Sequence, residues 1–207
     1  MNNSAANGKR RGRPRSFDRE AGLDSAIQVF WAKGYEATSI DDLTQRMGIK
    51  PPSLYAAFGN KHDLFMQSLD RYAETIGHTP TNAFLDETDL RRAIKALFDK
   101  TIQCATMPRK PRGCLLVSVA TQMAETDPEV QAWMSRAYAA RVSLVAERVA
   151  AEQKTGRISK TPDAASFAKM VVSITHGLVA RARVGSSRKE ISDLAENYVD
   201  LLVPPSV

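Results

Sequence analysis

The chain has 207 residues, of which 43% are hydrophobic and 25% charged, a balance typical of a globular protein with one domain or two small ones. Its formal net charge of +6 mildly favours a polyanionic partner. Two cysteines are too few for a disulfide-stapled secreted domain, and the absence of an apolar run of about 20 residues argues against a membrane-spanning segment, so we expect a cytoplasmic protein.

Residues 1–16 are polar and contain five basic side chains and no acidic one, which predicts a flexible basic arm. Within this arm, the sequence Gly12-Arg13-Pro14 resembles an AT-hook, in which arginines lie in a narrow minor groove. The alternative is a tail that adds only nonspecific charge. Both interpretations predict that Arg13 and Arg15 contact DNA.

Two helices are predicted next. Apolar residues recur at helical spacing from Leu23 to Trp31, and Gly34 provides a left-handed residue that ends this first helix. A second, short helix is predicted to begin after Ser39, with Asp42 in a capping-box position, and to stop at Gly48.

The stretch "MGIKPPSLYAAFGNK" places two adjacent prolines inside a helical region. Pro51 and Pro52 predict the start of a third helix, because a missing amide hydrogen costs nothing in the first turn. Asn60 is expected to cap a fourth helix. Two short helices joined through Gly48 match a helix-turn-helix arrangement.

The second half is predicted to contain five more helices. Residues 77–89 are expected to be a linker or a frayed helix end. Helices are then predicted from Leu90 to "TMPRKPRG", from Cys114, from Asp127 and Pro128 to about Gly156, from Thr161 and Pro162, and from about Ser187. With no convincing strand, the predicted fold class is all-α with about nine helices.

From Phe17 to about Tyr72, through "AIQVFWAKGYEATSIDDLTQRMGIKPPSLYAAFGNKHDLF", the chain resembles the TetR family of one-component transcriptional regulators. This resemblance implies a three-helix DNA-binding head, a linking fourth helix and a larger helical core that dimerises and usually binds an effector. The expected organisation is an arm at residues 1–16, a helix-turn-helix domain at 17–62 and a dimerisation and effector-binding domain at 63–207.

The resemblance makes Pro51 to Tyr55 the start of the recognition helix, and it places Tyr55 and Lys61 at positions that contact phosphate. Ala57 departs from the pattern, because many members have a histidine or another polar residue there. Local chemistry adds Asp41 as an acceptor for cytosine. The predicted DNA-binding residues are Arg13, Arg15, Ser39, Asp41, Lys50, Pro51, Pro52, Ser53, Tyr55 and Lys61.

One short recognition helix reads only a few base pairs, so we expect a homodimer on a double-stranded operator with two half-sites. The stretch "FAKMVVSITHGLV" is apolar on more than one face, which favours a two-fold four-helix interface with the last helix.

An effector pocket is predicted in the core, although each of its candidates is an ordinary core residue in the simpler interpretation. Cys114 follows "RKPRG" and begins a helix, so Arg109, Lys110, Arg112 and the helix N-terminus would favour a thiolate. "GCLLV" also resembles the reactive-cysteine segment of electrophile-sensing TetR members, while Cys104 is expected to be structural. The candidates are Phe98, Ile102, Met107, Cys114, Met123, Trp133, Tyr138 and His176.

The favoured function is that of a repressor released from its operator by a small molecule or by modification of the Cys114 thiol. The alternative is a DNA-binding interaction protein without a small effector. No catalytic constellation, metal-ligand spacing or cofactor motif stands out, so we expect no enzymatic activity, no cofactor and no metal.

Overall fold

The computed structural model describes residues 17–204, and over this range the chain forms nine helices and no strand, which confirms the predicted fold class. The head contains α1, α2 and α3, and α4 runs from the head into the core. The helices are α1 (Arg19–Lys33), α2 (Ile40–Met47), α3 (Pro51–Phe58), α4 (Lys61–Tyr72, a π-helical turn Ala73–Gly77, and His78–Asp86), α5 (Leu90–Ala105), α6 (a π-helical turn Leu116–Ala120, and Thr121–Met123), α7 (Pro128–Lys154), α8 (Ala164–Arg183) and α9 (Arg188–Leu202).

Local signals fix the ends of the head helices as predicted. The Ser39 hydroxyl and the Asp42 carboxylate form a reciprocal capping box at the start of α2, and Asn60 forms another at the start of α4. Gly48 ends α2 in the left-handed conformation with φ of 69°, which a side chain would strain. The turn between the two short helices is therefore set by residues within it.

The head is closed by residues from both halves of the chain. Phe30 of α1 and Phe65 of α4 are fully buried and pack edge to face, with their ring centroids 5.1 Å apart. The same buried cluster includes Leu115 and Val119 beside and within α6, and Val130 of α7. The head thus packs directly on the core, in addition to being joined to it through α4.

The prediction of a linker or a frayed helix end at residues 77–89 is wrong over most of this range, because His78–Asp86 continues α4 as a regular helix. Gly77 keeps a helical φ of −66°. The wider π turn just before Pro80 accommodates a proline that cannot donate to the preceding turn. Glycine and proline therefore mark a change of helical pitch here.

The predicted start of α8 is also wrong. Asp163, and not Thr161, is the residue before the helix, and its side chain accepts a hydrogen bond from the Ser166 amide. Asp163 is the better cap because a carboxylate suits the positive end of a helix. The predicted cap at Ser187 is confirmed by a capping box with Glu190 at the start of α9.

The core is built from α5, α7, α8 and α9, which bury a second apolar cluster around Phe98, Val145 and Val171. In the described part of the chain, no helix is both long and apolar enough to cross a membrane.

Candidate nucleic-acid interface and core cavity

The tip of α3 is poor in backbone donors. Pro51 and Pro52 occupy its first two positions and have no amide hydrogen, and the Ser53 amide donates to the Lys50 carbonyl oxygen at 2.9 Å. A helix N-terminus can bind an anion through its free backbone amides. At α3 this means of binding is absent, so an anion must be bound by side chains.

The side chains that surround this tip are free to do so. Tyr55 is 50% exposed, and Lys50 and Ser53 are exposed as well, while Leu54 and Phe58 are buried and anchor the helix to the head. The exposed carboxylate of Asp41 lies on α2, the preceding helix of the motif. The predicted contacts therefore divide into a buried anchoring face and an exposed face.

Ser39 is partly committed to its own helix. Its amide donates to Asp42 Oδ2 at 3.0 Å, and its hydroxyl oxygen accepts from the Asp42 amide at 3.1 Å. The hydroxyl hydrogen remains available for a phosphate. Lys33 Nζ lies 2.5 Å from Asp42 Oδ1, and this hydrogen bond, together with the capping contacts, lowers the pKa of Asp42 from 3.8 to about 2.

Lys61 is held against the head. Its Nζ lies 4.3 Å from the centroid of the Tyr35 ring and donates to the Glu36 carbonyl oxygen at 3.5 Å. These contacts fix the ammonium group at the start of α4. The predicted contacts Arg13 and Arg15 lie outside the described residues.

Several side-chain contacts join α4 to α7. The ring of His62 lies 2.7 Å from Asp127 Oδ2, measured from Nε2, and the indole nitrogen of Trp133 donates to Asp70 Oδ1 at 2.7 Å. Asp127 also caps α7, and the hydrogen bond from the Val130 amide is the largest cause of its lowered pKa. The orientation of the head therefore depends on contacts with the core.

A cavity of about 50 Å³ lies where α4, α5, α6 and α8 meet. Tyr72 lines it from α4, and its hydroxyl donates to Cys114 Sγ at 3.2 Å. Burial raises the pKa of the Tyr72 phenol well above its usual value. Tyr72 also belongs to the buried cluster of the head, so one side chain connects the head to the cavity.

The polar groups of the cavity are unevenly satisfied. The buried hydroxyl of Thr175 donates to the Val171 carbonyl oxygen at 2.8 Å, whereas the equally buried hydroxyl of Thr101 has no partner within residues 17–204. Burial, followed by the charge of Arg141, lowers the pKa of His176, which favours a neutral ring. The cavity thus has an apolar wall with unused hydrogen-bonding capacity at Thr101.

The predicted pocket overlaps this cavity only in part. Cys114 and His176 line it, and Tyr138 lines a smaller adjoining space with His176. Phe98 and Ile102 are buried in the core cluster, and Met123 and Trp133 pack against the head cluster. Met107 lies in the loop after α5 and is absent from the cavity wall.

Most wall residues were missing from the predicted pocket, among them Tyr72, Thr101 and Cys104. Each fits the buried stripe of its own helix, so only the packing of different helices reveals that they face one space. Cysteine content was the one available signal, because the chain has only two cysteines and both line the cavity.

The basic residues before Cys114 interact elsewhere. Arg112 donates through Nε to the Ala182 carbonyl oxygen at 2.8 Å. Arg109 and Lys110 line a surface groove with Lys33 and Arg46 of the head. The polar group that contacts the Cys114 sulfur is instead the Tyr72 hydroxyl.

A separate apolar surface lies on α8 and α9. Met170 and Leu201 are exposed, and the half-buried side chains of Ile174 and Tyr198 lie beside them in the same groove. Exposed apolar patches of this kind mark interaction surfaces.

The comparisons with known proteins agree with this architecture. A family model described as "Bacterial regulatory proteins, tetR family" matches residues 23–67, and one described as "Tetracyclin repressor-like, C-terminal domain" matches residues 90–197. The chain is 32% identical to the HTH-type transcriptional repressor ComR of Escherichia coli K12 over 188 residues, which cover 90% of each protein. It is 29% identical to the repressor BdcR of the same organism, over 87% of this chain and 86% of BdcR.

Solved structures give the same result. The TetR family transcriptional regulator CifR, a cysteine mutant complexed with 26-base-pair operator DNA, is 31% identical, with a TM-score of 0.81 over 90% of this chain and 98% of CifR. The regulator SCO4454 of Streptomyces coelicolor, at 19% identity and a TM-score of 0.76, shares the fold over 91% of this chain and 98% of its own.

Proposed function

Because this chain belongs to the TetR family of bacterial regulatory proteins, we propose that it is a homodimeric repressor that leaves a palindromic operator when a small molecule binds or the Cys114 thiol is modified. Membership of the family establishes the general function: the chain is a DNA-binding transcriptional regulator and not an enzyme. We place its action in the cytoplasm, where bacterial DNA lies.

The observation that carries the proposal is the double role of Tyr72. This side chain lies in the buried cluster of the head and also in the cavity wall, where it contacts Cys114. A ligand or a thiol adduct that displaces Tyr72 must therefore disturb the packing of α4 against the head. A shift of the two heads in a dimer would change the distance between the recognition helices.

The DNA contacts are proposed to involve the exposed face of the helix-turn-helix. The buried Leu54 and Phe58 fix α3, so Tyr55 and Ser53 project outward from a rigid support. Since the first turn offers no free amide, Lys50 and Tyr55 supply the phosphate contacts. Ser39, Asp41, Pro51, Pro52 and Lys61 complete the described part of the interface, and Arg13 and Arg15 extend it along the arm.

The dimer is proposed to form through the surface of α8 and α9 that contains Met170 and Leu201. Pairing this surface with its two-fold copy would cover the apolar groove and produce a four-helix interface. In the proposed domain organisation, the helix-turn-helix DNA-binding domain spans residues 17–62, and the dimerisation and effector-binding domain spans residues 63–207.

The DNA proposal is tested on an operator selected from a random pool of duplexes. We expect Lys50→Ala to weaken binding and to lower the slope of log affinity against log salt by about one. Lys189→Ala removes the same charge from α9, where Lys189 pairs with Asp193, and should leave the slope unchanged. Equal slopes for the two variants would reject Lys50 as a phosphate contact.

The dimer proposal is tested by light scattering. Met170→Glu places a charge in the groove and should shift the protein towards monomers. Val184→Glu changes the most exposed large apolar residue, at 81%, outside that groove and should leave the dimer intact. A wild-type protein that is monomeric would contradict the proposal directly.

The release proposal is tested with N-ethylmaleimide, which alkylates Cys114, and with a ligand screen against the operator complex. We expect alkylation to release the DNA from the wild type but not from Cys114→Ser. If neither alkylation nor any ligand releases the operator, the alternative of a DNA-binding protein without an effector is supported instead.

A further inference from the structure

The two cysteines of the chain face one cavity from neighbouring stretches of backbone. Cys104 lies near the end of α5, Cys114 lies just before α6, and both are free thiols in the cavity wall. The amide of Gly113 donates to the carbonyl oxygen of Ala105 at 2.9 Å. This bond holds the two stretches side by side, with one cysteine next to each of the bonded residues, and so keeps the two cysteines close together at the cavity.

We propose that Cys104 and Cys114 form a reversible intramolecular disulfide when a small two-electron oxidant, a peroxide, enters the cavity. The inference rests on the proposed function, to which it adds the chemical class of the signal and a second reacting sulfur. In this proposal Cys104 is not a structural residue, as expected from the sequence, but the resolving cysteine, which attacks the oxidised Cys114 sulfur to form the disulfide.

The difference in burial assigns an order to the two sulfurs. Cys114 is half-buried and is the sulfur that an entering oxidant reaches, while Cys104 is 7% exposed. Burial also raises the pKa of the Cys104 thiol, which disfavours its thiolate relative to the thiol. Cys114 is therefore oxidised first, and Cys104 reacts second.

The chemistry proceeds in two balanced steps. The Cys114 sulfur attacks one oxygen of hydrogen peroxide, the O–O bond breaks, and a sulfenic acid and one water form. The Cys104 sulfur then attacks the Cys114 sulfur, the S–O bond breaks, and the hydroxyl leaves as water with the Cys104 proton. The two thiols together lose two electrons and two protons, and one peroxide becomes two waters.

The cavity offers polar contacts for such an oxidant beside each sulfur. Thr101 lies one turn before Cys104, and its buried hydroxyl has no partner in the described part of the chain. Beside Cys114, the polar group in the cavity wall is the Tyr72 hydroxyl, which donates to its sulfur. A peroxide is small and both donates and accepts hydrogen bonds, so it matches this unused capacity better than a large apolar ligand.

The disulfide would act on the head through Tyr72. When the Cys114 sulfur bonds to Cys104, the Tyr72 hydroxyl loses its present acceptor at 3.2 Å while remaining buried. A buried hydroxyl without a partner is unfavourable, so α4 must shift to satisfy it. We expect oxidation to weaken operator binding about tenfold. Fluorescence anisotropy of labelled operator DNA resolves a change of this size.

The experiment uses the reduced full-length protein with increasing hydrogen peroxide, followed by digestion with trypsin. Cleavage after Lys100, Arg109, Arg112 and Arg136 separates residues 101–109, which contain Cys104, from residues 113–136, which contain Cys114. We expect the two peptides to appear joined in a protein that runs as a single chain on a non-reducing gel. Dithiothreitol should separate them and restore operator binding.

Cys104→Ser and Cys104→Ala provide the discriminating variants, and two are used so that a folding defect in one is not decisive. Both should lose the reversible response to peroxide while N-ethylmaleimide at Cys114 still releases DNA. Peptides that stay separate after full oxidation of Cys114, or that join two chains, would overturn the disulfide. Failure of alkylation to release the operator would instead overturn the thiol branch of the proposed function, whatever the peptide map shows.

Discussion

The interior of the head and the cavity region differ in how completely they are packed. In the head, Phe30 and Phe65 are fully buried and in contact with each other. At the cavity, Tyr72, Thr101 and Cys104 border space that no side chain fills. The head is thus built to hold one shape, and the region below it retains space that a small molecule can fill.

A signal can enter the protein more easily at the cavity than in the head. A close-packed unit transmits displacement because its parts cannot absorb it, whereas a cavity can change its contents at little cost. Tyr72 belongs to both regions, so a change in the loose region reaches the rigid one. Four predictions test this difference between the head and the cavity region.

The largest effect is expected from shortening the same side chain in each region. Leu54→Ala removes a fully buried side chain from the head and should lower the free energy of unfolding by about 2–5 kcal/mol. Leu116→Ala, at the half-buried cavity wall, should cost only about 1–2 kcal/mol. Urea denaturation measures both, and equal losses would contradict the contrast.

The next effect concerns the joint between the head and the core. Asp70→Ala removes the acceptor of the Trp133 indole N–H and should lower the free energy of unfolding by about 1 kcal/mol. Glu74→Ala, four residues later, is the control because Glu74 forms no ion pair in the described range. Thermal denaturation of the two variants at one pH tests this contact.

A smaller effect compares two buried threonines of the same cavity. Thr175→Val removes a hydroxyl that donates to a carbonyl oxygen and should cost about 0.5–1.5 kcal/mol in unfolding free energy. Thr101→Val removes a buried hydroxyl without a partner and should be neutral or slightly stabilising. If Thr101→Val lowers the free energy of unfolding more than Thr175→Val does, the Thr101 hydroxyl has a hydrogen-bond partner and is not unused.

The smallest effect is expected from the exposed cap of α2. The pKa of Asp42 is lowered from 3.8 to about 2 in the folded state, so its stabilisation is fully present above pH 3.8 and is lost as the pH falls through 2. Asp42→Asn should remove this contribution at neutral pH and make the acid decline shallower. Asp41→Asn, whose carboxylate makes no hydrogen bond or ion pair within residues 17–204, should keep the wild-type profile.

The sequence predicts the head well because its signals are local. The cap at Ser39, the stop at Gly48 and the prolines at the start of α3 each act within a few residues. The cavity is different, since Tyr72, Thr101 and Cys104 come from separate turns and helices that only tertiary packing brings together. The helical segment at 78–86 was missed for a related reason, because a π turn lets a helix continue towards a proline.

The buried cluster of the head also limits how the protein can be redesigned. Its interior is completed by Leu115, Val119 and Val130, which are remote from residues 17–62 in the chain. A biosensor made by fusing this head to the core of another regulator would leave those apolar contacts without partners and would tend to aggregate. Chimeras should therefore carry α6 and the first turn of α7 together with the head.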